Sequence, residues 1–411
     1  MQVRRGPQPH GSDVNPYLDR LQPYPFEKLR VLFDGITPPA GLAPIRLSIG
    51  EPQHATPACV TEAMAAHLDG LATYPLTAGS PELRGAIADW LVRRYALDAI
   101  DPATQVLPVN GSREALFAFG QCVIDGTRPG ARVVCPNPFY QIYEGTALLA
   151  GAQPLFLNTL ESKDFVLDLA GIDAATWRDV QLVFVCSPGN PTGHVLSLDE
   201  WRALFALSDE YGFVIAADEC YSEIYFDEDA PPLGALQAAW ALGRRDFRNV
   251  VTFSSLSKRS NVPGLRSGFV AGDARLLKQF LRYRTYHGCA MGPTMQAASV
   301  AAWRDEAHVR DNRRLYRDKF DRIIPMLSPH LGIRRPDAGF YLWARTLGPD
   351  TDFARRLQAE YNVTVLPGSY LAREVDGINP GAGFVRIALV ATPEECIEAA
   401  ERIVACCRGT R

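Results

Sequence analysis

Five lysines stand against 37 arginines in this chain, and one of them, Lys258, closes the run Ser255-Leu256-Ser257-Lys258 directly after a β-rich stretch at 250–254. A solvated cation serves equally well as arginine. A lysine held at the mouth of a sheet can lose its proton and form an imine with a carbonyl, which a guanidinium cannot do. The alternative is a plain surface cation. A second acidic-basic contrast lies upstream, where the apolar run 213–217 ends in Asp218-Glu219-Cys220-Tyr221. A carboxylate there is either a helix cap or a charge delivered to a site.

Two further turns follow apolar runs. Asn110-Gly111-Ser112-Arg113-Glu114 opens a helix, and the free N–H groups and positive dipole end of a helix start suit a phosphate; the alternative is ordinary capping by Asn110 or Ser112. Ser187-Pro188-Gly189-Asn190-Pro191-Thr192-Gly193 is dense in turn formers, with Asn190 restricted by the proline after it.

These turns must be carried by an α/β framework. From about residue 80, short β-rich runs alternate with longer helical patterns, which predicts a largely parallel sheet. The predicted strands are 105–109, 132–135, 153–157, 181–186, 213–217, 250–254 and 268–271, seven in one large sheet. The predicted helices include one from Pro81, 113–124, 139–149 and 199–211. Ligands of such a sheet bind beyond the carboxyl ends of its strands, where the residues above fall. After about 275 a long helical region, 293–326, leads into strands at 339–343, 363–366 and 384–389 and helices near 351–360 and 393–406. The expected organisation is a large domain over 46–290 and a smaller α+β domain over 291–411. A segment over 15–45 is expected to pack on the smaller domain, and 1–14 reads as a disordered leader.

Composition narrows the function classes. With 411 residues, 47% hydrophobic content and a net charge of −4, the chain can bury a large core, and its basic residues are scattered, so neither a nucleic-acid nor a membrane surface is expected. The nine cysteines include no Cys-x-x-Cys pair, which points to free thiols in a reducing, cytoplasmic compartment. No metal site is expected.

Taken in order, Asn110-Gly111-Ser112, Asn190-Pro191-Thr192-Gly193, Asp218-x-x-Tyr221, Ser255-x-Ser257-Lys258 with Arg266, and Arg386 make the chain resemble the fold-type I pyridoxal-phosphate aminotransferases of the aspartate aminotransferase class, over roughly residues 15–407. The resemblance implies that Lys258 holds the cofactor as an imine and later shuttles a proton, and that Asp218 faces the pyridine nitrogen. Asn190 and Tyr221 would bond the ring oxygen and Tyr140 would stack on the ring. Gly111, Ser112, Arg113, Ser255, Ser257 and Arg266 would hold the phosphate. Tyr74 would reach the phosphate of a neighbouring subunit, implying a homodimer. Arg386 would clamp the substrate carboxylate under a turn at Gly50, with Asn190 beside it.

Finer stretches, Asn15-Pro16-Tyr17-Leu18-Asp19-Arg20-Leu21, Pro23-Tyr24-Pro25-Phe26-Glu27-Lys28-Leu29 and Ser48-Ile49-Gly50-Glu51-Pro52, look like the proteobacterial succinyldiaminopimelate transaminases. This implies transfer of an amino group between N-succinyl-LL-2,6-diaminopimelate and 2-oxoglutarate, in bacterial lysine and diaminopimelate synthesis. Arg282, Arg284 and His287 are the nearby cations expected to meet the succinyl arm. The competing expectations are an aspartate, alanine or aromatic aminotransferase, or a C–S β-lyase using the same lysine. A cofactor-sensing regulator would need a DNA-binding module, for which the polar stretch before Asn15 gives no pattern.

Overall fold

The computed structural model describes residues 14–409, so all of the expected leader but Val14 lies outside the described residues. Among the described residues there are thirteen strands: β1 Ile45–Arg46, β2 Val106–Val109, β3 Arg132–Asn137, β4 Gln153–Asn158, β5 Val180–Cys186, β6 Val214–Asp218, β7 Val250–Ser255, β8 Gly268–Gly272, β9 Gly332–Ile333, β10 Tyr341–Arg345, β11 Val363–Thr364, β12 Leu366–Pro367 and β13 Phe384–Ala388.

Seven of them form one sheet in the order β2-β8-β7-β6-β5-β3-β4. β2, β6, β7 and β8 are buried along their whole length, as continuous apolar runs covered by helices on both faces must be. All pairings are parallel except those of β8, which runs antiparallel to β2 and β7. The parallel pairs need helical crossovers, and the local sequence specifies where these start and stop. Helix Leu198–Tyr211, between β5 and β6, begins at a capping box of Ser197 and Glu200 and ends where Gly212 takes a left-handed φ of 81°. Its Trp201, Leu204 and Phe205 enter the large core beside Val183 and Ile215.

The second body is a four-stranded antiparallel sheet, β12-β13-β10-β9, beside the two-stranded pair β1-β11. Its core joins Phe320, Ile323 and Leu327 of the long helix Ala307–Leu327 to Leu342, Val385, Ile387, Ile403 and Cys406. Ile45 and Leu47 belong to this core as well, so the chain leaves it only after β1.

Packing shifts the expected boundaries in two places. The helical region 293–326 is two helices, and the first, Pro293–Arg304, places Ala298, Val300 and Trp303 in the core of the large sheet beside Trp90 and Phe269. The change of partner therefore falls at Asp305 and Glu306, not at 291. The N-terminal segment also divides. Helix Pro25–Leu32 puts Leu29 against Trp343, Leu366 and Phe384 of the smaller body. The short 3-10 turn Pro16–Arg20 instead lies on helix Ile142–Leu149 of the large one. No helix among the described residues is long and apolar enough to cross a membrane, and Cys59, Cys122, Cys135, Cys186, Cys220, Cys289 and Cys396 are free thiols.

Candidate active site

Register brings the chemistry to one edge. Cys186, Asp218 and Phe253 lie side by side across β5, β6 and β7, so the residues following these strands emerge together. At the other side of β7, Ser255 pairs with Gly268, which pairs in turn with Val109. Because β8 is antiparallel, it is its beginning, preceded by Arg266, that meets the carboxyl ends of β2 and β7. Lys258, Asp218, Ser112 and Arg266 thus reach one cleft from four separate stretches of chain.

The cleft has two adjoining lobes. One, of about 140 Å³, is lined by Asn190, Asp218, Tyr221, Tyr341 and Arg386. The other, of about 480 Å³, is lined by Ser255, Ser257, Pro263, Gly264 and Arg266. Lys258, Gly50, Ser112, Arg113, Tyr140 and Cys220 border both.

Lys258 sits at this junction on the short helix Leu256–Arg259 that follows β7. Its Nζ donates to the carbonyl of Gly50 and stands 5.6 Å from the centre of the Phe340 ring. Burial pulls its ammonium down to about 8, and the charges of Arg386 and Arg113 add to the effect. Gly50 is required by close approach, since a Cβ there would fall on the Tyr341 hydroxyl.

In the first lobe Asp218 is buried and accepts from the Tyr143 hydroxyl at 2.8 Å and from the Cys220 N–H at 3.3 Å. Burial raises its carboxyl, while those donors act in the opposite direction. Strand alternation sends its neighbour Glu219 the other way, into the core, where it accepts from Tyr95 Oη and the Ala235 N–H, both at 2.6 Å. Arg386, from the middle of β13, donates Nη1 to Asn190 Oδ1 at 2.9 Å and Nη2 to the Ser48 carbonyl at 2.8 Å. Its buried Nε has no hydrogen-bond partner among the described residues. A guanidinium with a spare donor at the floor of a cleft is ready for a carboxylate. Tyr221 shares a 3.1 Å hydrogen bond with Tyr341, whose ring lies 4.4 Å beneath Arg386.

The second lobe is a cradle of donors. Ser255 Oγ caps the Lys258 helix at the Ser257 N–H, 3.1 Å away, and contacts Ser257 Oγ at 2.9 Å. Gly111 has φ +92°, and a Cβ there would fall on the Arg266 guanidinium; Arg266 itself donates Nη1 to the Pro263 carbonyl. Ser112 begins the twelve-residue helix Ser112–Val123 and accepts from the Cys220 thiol. Hydroxyls, a guanidinium and a helix start at one end, a buried carboxylate at the other and a lysine amine between them form the donor set that a phosphorylated pyridine aldehyde needs.

Of the other expected residues, Arg113 projects across the cleft, donating Nε to Tyr140 Oη at 2.5 Å, and has no carboxylate partner among the described residues. Tyr74 is fully exposed, outside the cleft. The three cations expected to meet a distal acid do not reach the cleft: Arg284 is buried and paired with Glu114 at 2.7 Å, while Arg282 and His287 are exposed on the same helix, Ala274–His287. Sequence reasoning did not single out Tyr24, Gln141, Tyr143, Phe340 or Tyr341. The one signal available for Tyr24 and Gln141 was their nearness to proline-marked helix starts, which equally fits core residues.

The sequence pattern of the family "Aminotransferase class I and II" matches residues 43–403. An aminotransferase of known structure from Neisseria meningitidis Z2491 is 54% identical, with a TM-score of 0.92 over 95% of this chain and 99% of that one. A protein from Thermus thermophilus described as a probable N-succinyldiaminopimelate aminotransferase is 27% identical, with a TM-score of 0.81 over 93% of this chain and 98% of that one. The LL-diaminopimelate aminotransferase of Nitratidesulfovibrio vulgaris (strain DP4) is 33% identical over 369 residues, 88% of this chain and 91% of that protein. With the matching pattern spanning nearly the whole of both bodies and the cleft between them, the chain belongs to the class I and II aminotransferases, which work with pyridoxal phosphate.

Proposed function

We propose that this aminotransferase acts on N-succinyl-LL-2,6-diaminopimelate with 2-oxoglutarate as acceptor, through two half-reactions that share one cleft. The observation that carries the transfer chemistry is the meeting of Lys258, Asp218 and Arg386 in that cleft. Arg386 takes the substrate α-carboxylate on the face where its Nε is free. This fixes the Cα–H bond relative to Lys258, whose amine, lowered to about 8, takes the proton from Cα of the amino donor and, in the other half-reaction, gives one to Cα of the acceptor. Pyridoxal phosphate, when bound, supplies a ring that accepts the electron pair released at Cα. Asp218 holds a proton on the ring nitrogen and supports its positive charge; that charge in turn favours the ionised carboxylate that burial alone disfavours. Asn190 and Tyr221 bond the ring oxygen, and Tyr140 covers the ring. Ser112, Ser255, Ser257 and Arg266, with the Gly111 turn, bind the phosphate.

For the substrate, the support is Arg113, a cation in the cleft without an acidic partner among the described residues, beside Tyr24 and Gln141. It suits the distal acidic arm in place of the distant Arg282, Arg284 and His287. The Thermus protein's description agrees with the succinylated substrate; the Nitratidesulfovibrio relative favours LL-diaminopimelate itself as the second reading. The active unit is a homodimer in this proposal: Leu68, Leu71, Tyr74 and Leu76 are all exposed within nine residues, an apolar stretch that a second copy would cover.

The test records the visible band of the cofactor-loaded enzyme while glutamate, N-succinyl-LL-diaminopimelate and LL-diaminopimelate are added separately. Bleaching by glutamate and the succinylated compound, with restoration by 2-oxoglutarate, is expected. Faster bleaching by free LL-diaminopimelate selects the second reading, and ammonia and pyruvate released from cystathionine would mark a lyase.

A further inference from the structure

Three polar side chains outside the cleft connect Lys258 to the smaller body. Asn312, buried on the long helix Ala307–Leu327, donates Nδ2 to the main-chain carbonyls of Lys258 at 3.3 Å and Arg259 at 3.4 Å. Those carbonyls fix the orientation of its amide, so Oδ1 faces the other way, where Asn261 Nδ2 donates to it at 3.0 Å. His54 Nδ1 also reaches Oδ1, at 2.7 Å. An oxygen requires a donor, so His54 carries its proton on Nδ1 and leaves Nε2 as an acceptor. Lys319 Nζ stands 2.7 Å from that Nε2 and donates its next proton to the Leu389 carbonyl at 3.1 Å.

Every link has the same polarity: ammonium to ring, ring to amide, amide to the peptide that carries Lys258. Lys319 is 1% exposed, and no carboxylate pairs with it among the described residues. An unpaired ammonium that deep is costly to bury, so its retention calls for a reason beyond packing. His54 follows Gly50 by four residues on the loop whose Gly50 carbonyl accepts from the Lys258 amine. The same helix therefore holds both the turn that carries Lys258 and the loop that covers it.

We propose that His54, Asn312 and Lys319 are positioning residues, a one-way hydrogen-bond relay in which the Lys319 ammonium and the Asn312 oxygen together select the His54 tautomer and thereby lock the Gly50 loop over Lys258. The proposal concerns how the chain holds its lysine and is independent of the substrate assigned above.

The groups around the relay are consistent with it. His54 faces Lys319, Asn312 and the Tyr316 ring, 4.6 Å away; burial and the neighbouring ammonium lower it to about 4, keeping it neutral. Lys319 faces His54, Tyr316 and, on the last helix, Cys396, Glu395 and Glu394; burial lowers it to about 8. Protonating His54 would set two donors against each other at Nε2. Deprotonating Lys319 leaves the Asn312 oxygen to hold the Nδ1–H tautomer without the ammonium's support.

The relay is tested on the full chain labelled with ¹⁵N-histidine, the His54 signal being assigned by its loss in His54→Gln. A neutral Nδ1–H ring between about pH 5 and 7 is expected, with Lys319→Met raising the His54 titration above that of the unaltered chain and Lys319→Arg preserving the native state. In parallel, hydrogen exchange of the 48–56 segment is expected to quicken about fivefold in Lys319→Met and His54→Gln, with helix Pro393–Arg408 unchanged. A His54 that titrates near the ordinary value in the unaltered chain overturns the proposal even if no variant folds. So does an unchanged 48–56 exchange rate in folded variants.

Discussion

The Tyr143 hydroxyl donates to Asp218 Oδ2 at 2.8 Å, while its ring stacks on Phe184 at 4.6 Å. The stacked ring fixes where the hydroxyl points, so the donor meets the carboxylate without a search through rotamers. In Tyr143→Phe the packing survives and one hydrogen bond to a charged group is lost. We expect kcat to fall about tenfold. Asp218→Asn, which cannot hold the ring proton as an anion, should lose about a hundredfold or more. Single-turnover kinetics of both variants checks the ranking; equal losses would mean that Tyr143 does more than support Asp218.

Arg386 bonds Asn190 and the Ser48 carbonyl with its two terminal nitrogens. Arg386→Lys keeps the charge but not the planar fork. KM for the amino donor should rise on the order of a hundredfold, with the larger part of the loss in KM and not in kcat. A loss confined to kcat would show that the guanidinium does not bind the ground-state carboxylate.

Burial holds the Lys258 ammonium at about 8 in the cofactor-free chain. Between about 8 and the ordinary lysine value of about 10.5, the unfolded chain binds more protons than the folded one, so this group makes stability rise with pH in that window. Below 8 the full cost of burying the charge is present. Lys258→Met in the cofactor-free protein should therefore be more stable at neutral pH by on the order of 2 kcal/mol, after allowing for the lost bond to Gly50. The difference should shrink toward pH 10.5, as denaturant melts at several pH values will show.

Gly111 adopts φ +92° beneath the Arg266 guanidinium. In Gly111→Ala the new methyl group displaces Arg266 and strains the turn. Cofactor affinity should drop tenfold or more, by about 1–3 kcal/mol, and the strained turn should also lower the melting temperature of the cofactor-free chain. Absorbance titration with pyridoxal phosphate measures it.

Leu71 and Tyr74 are 75% and 102% exposed. Leu71→Arg with Leu76→Arg should yield a monomer in sedimentation and weaken cofactor binding. A dimer that persists would place the interface elsewhere.

The large sheet was legible because buried parallel strands read as apolar runs; Asp218 stood out because it ends such a run with a charge, and Lys258 because it follows one in a chain with few lysines. The reversed direction of β8 was not legible, since a run of five buried residues carries no arrow. Helix Pro293–Arg304 misled because an apolar face does not say which sheet it covers. Arg284 did carry a signal: Leu277, Phe280 and Arg284 lie at helical spacing on one buried stripe of Ala274–His287, which places the arginine in the core with Glu114. Tyr143 and Tyr341 escaped because a buried tyrosine that positions a catalytic group has the same sequence context as one that merely packs.

The N-terminal segment is attached to both bodies, its 3-10 turn to the large one and helix Pro25–Leu32 to the small one. Between them Leu21 and Tyr24 are both extended, with ψ of 134° and 146°, and Pro23 separates them. Residues 21–24 alone join the two anchors, and four residues span at most about 14 Å when fully extended. That length sets an upper limit on how far the two anchored ends can part. Tyr24, the last of the four, lines the cleft, so that limit acts on a side chain of the site itself.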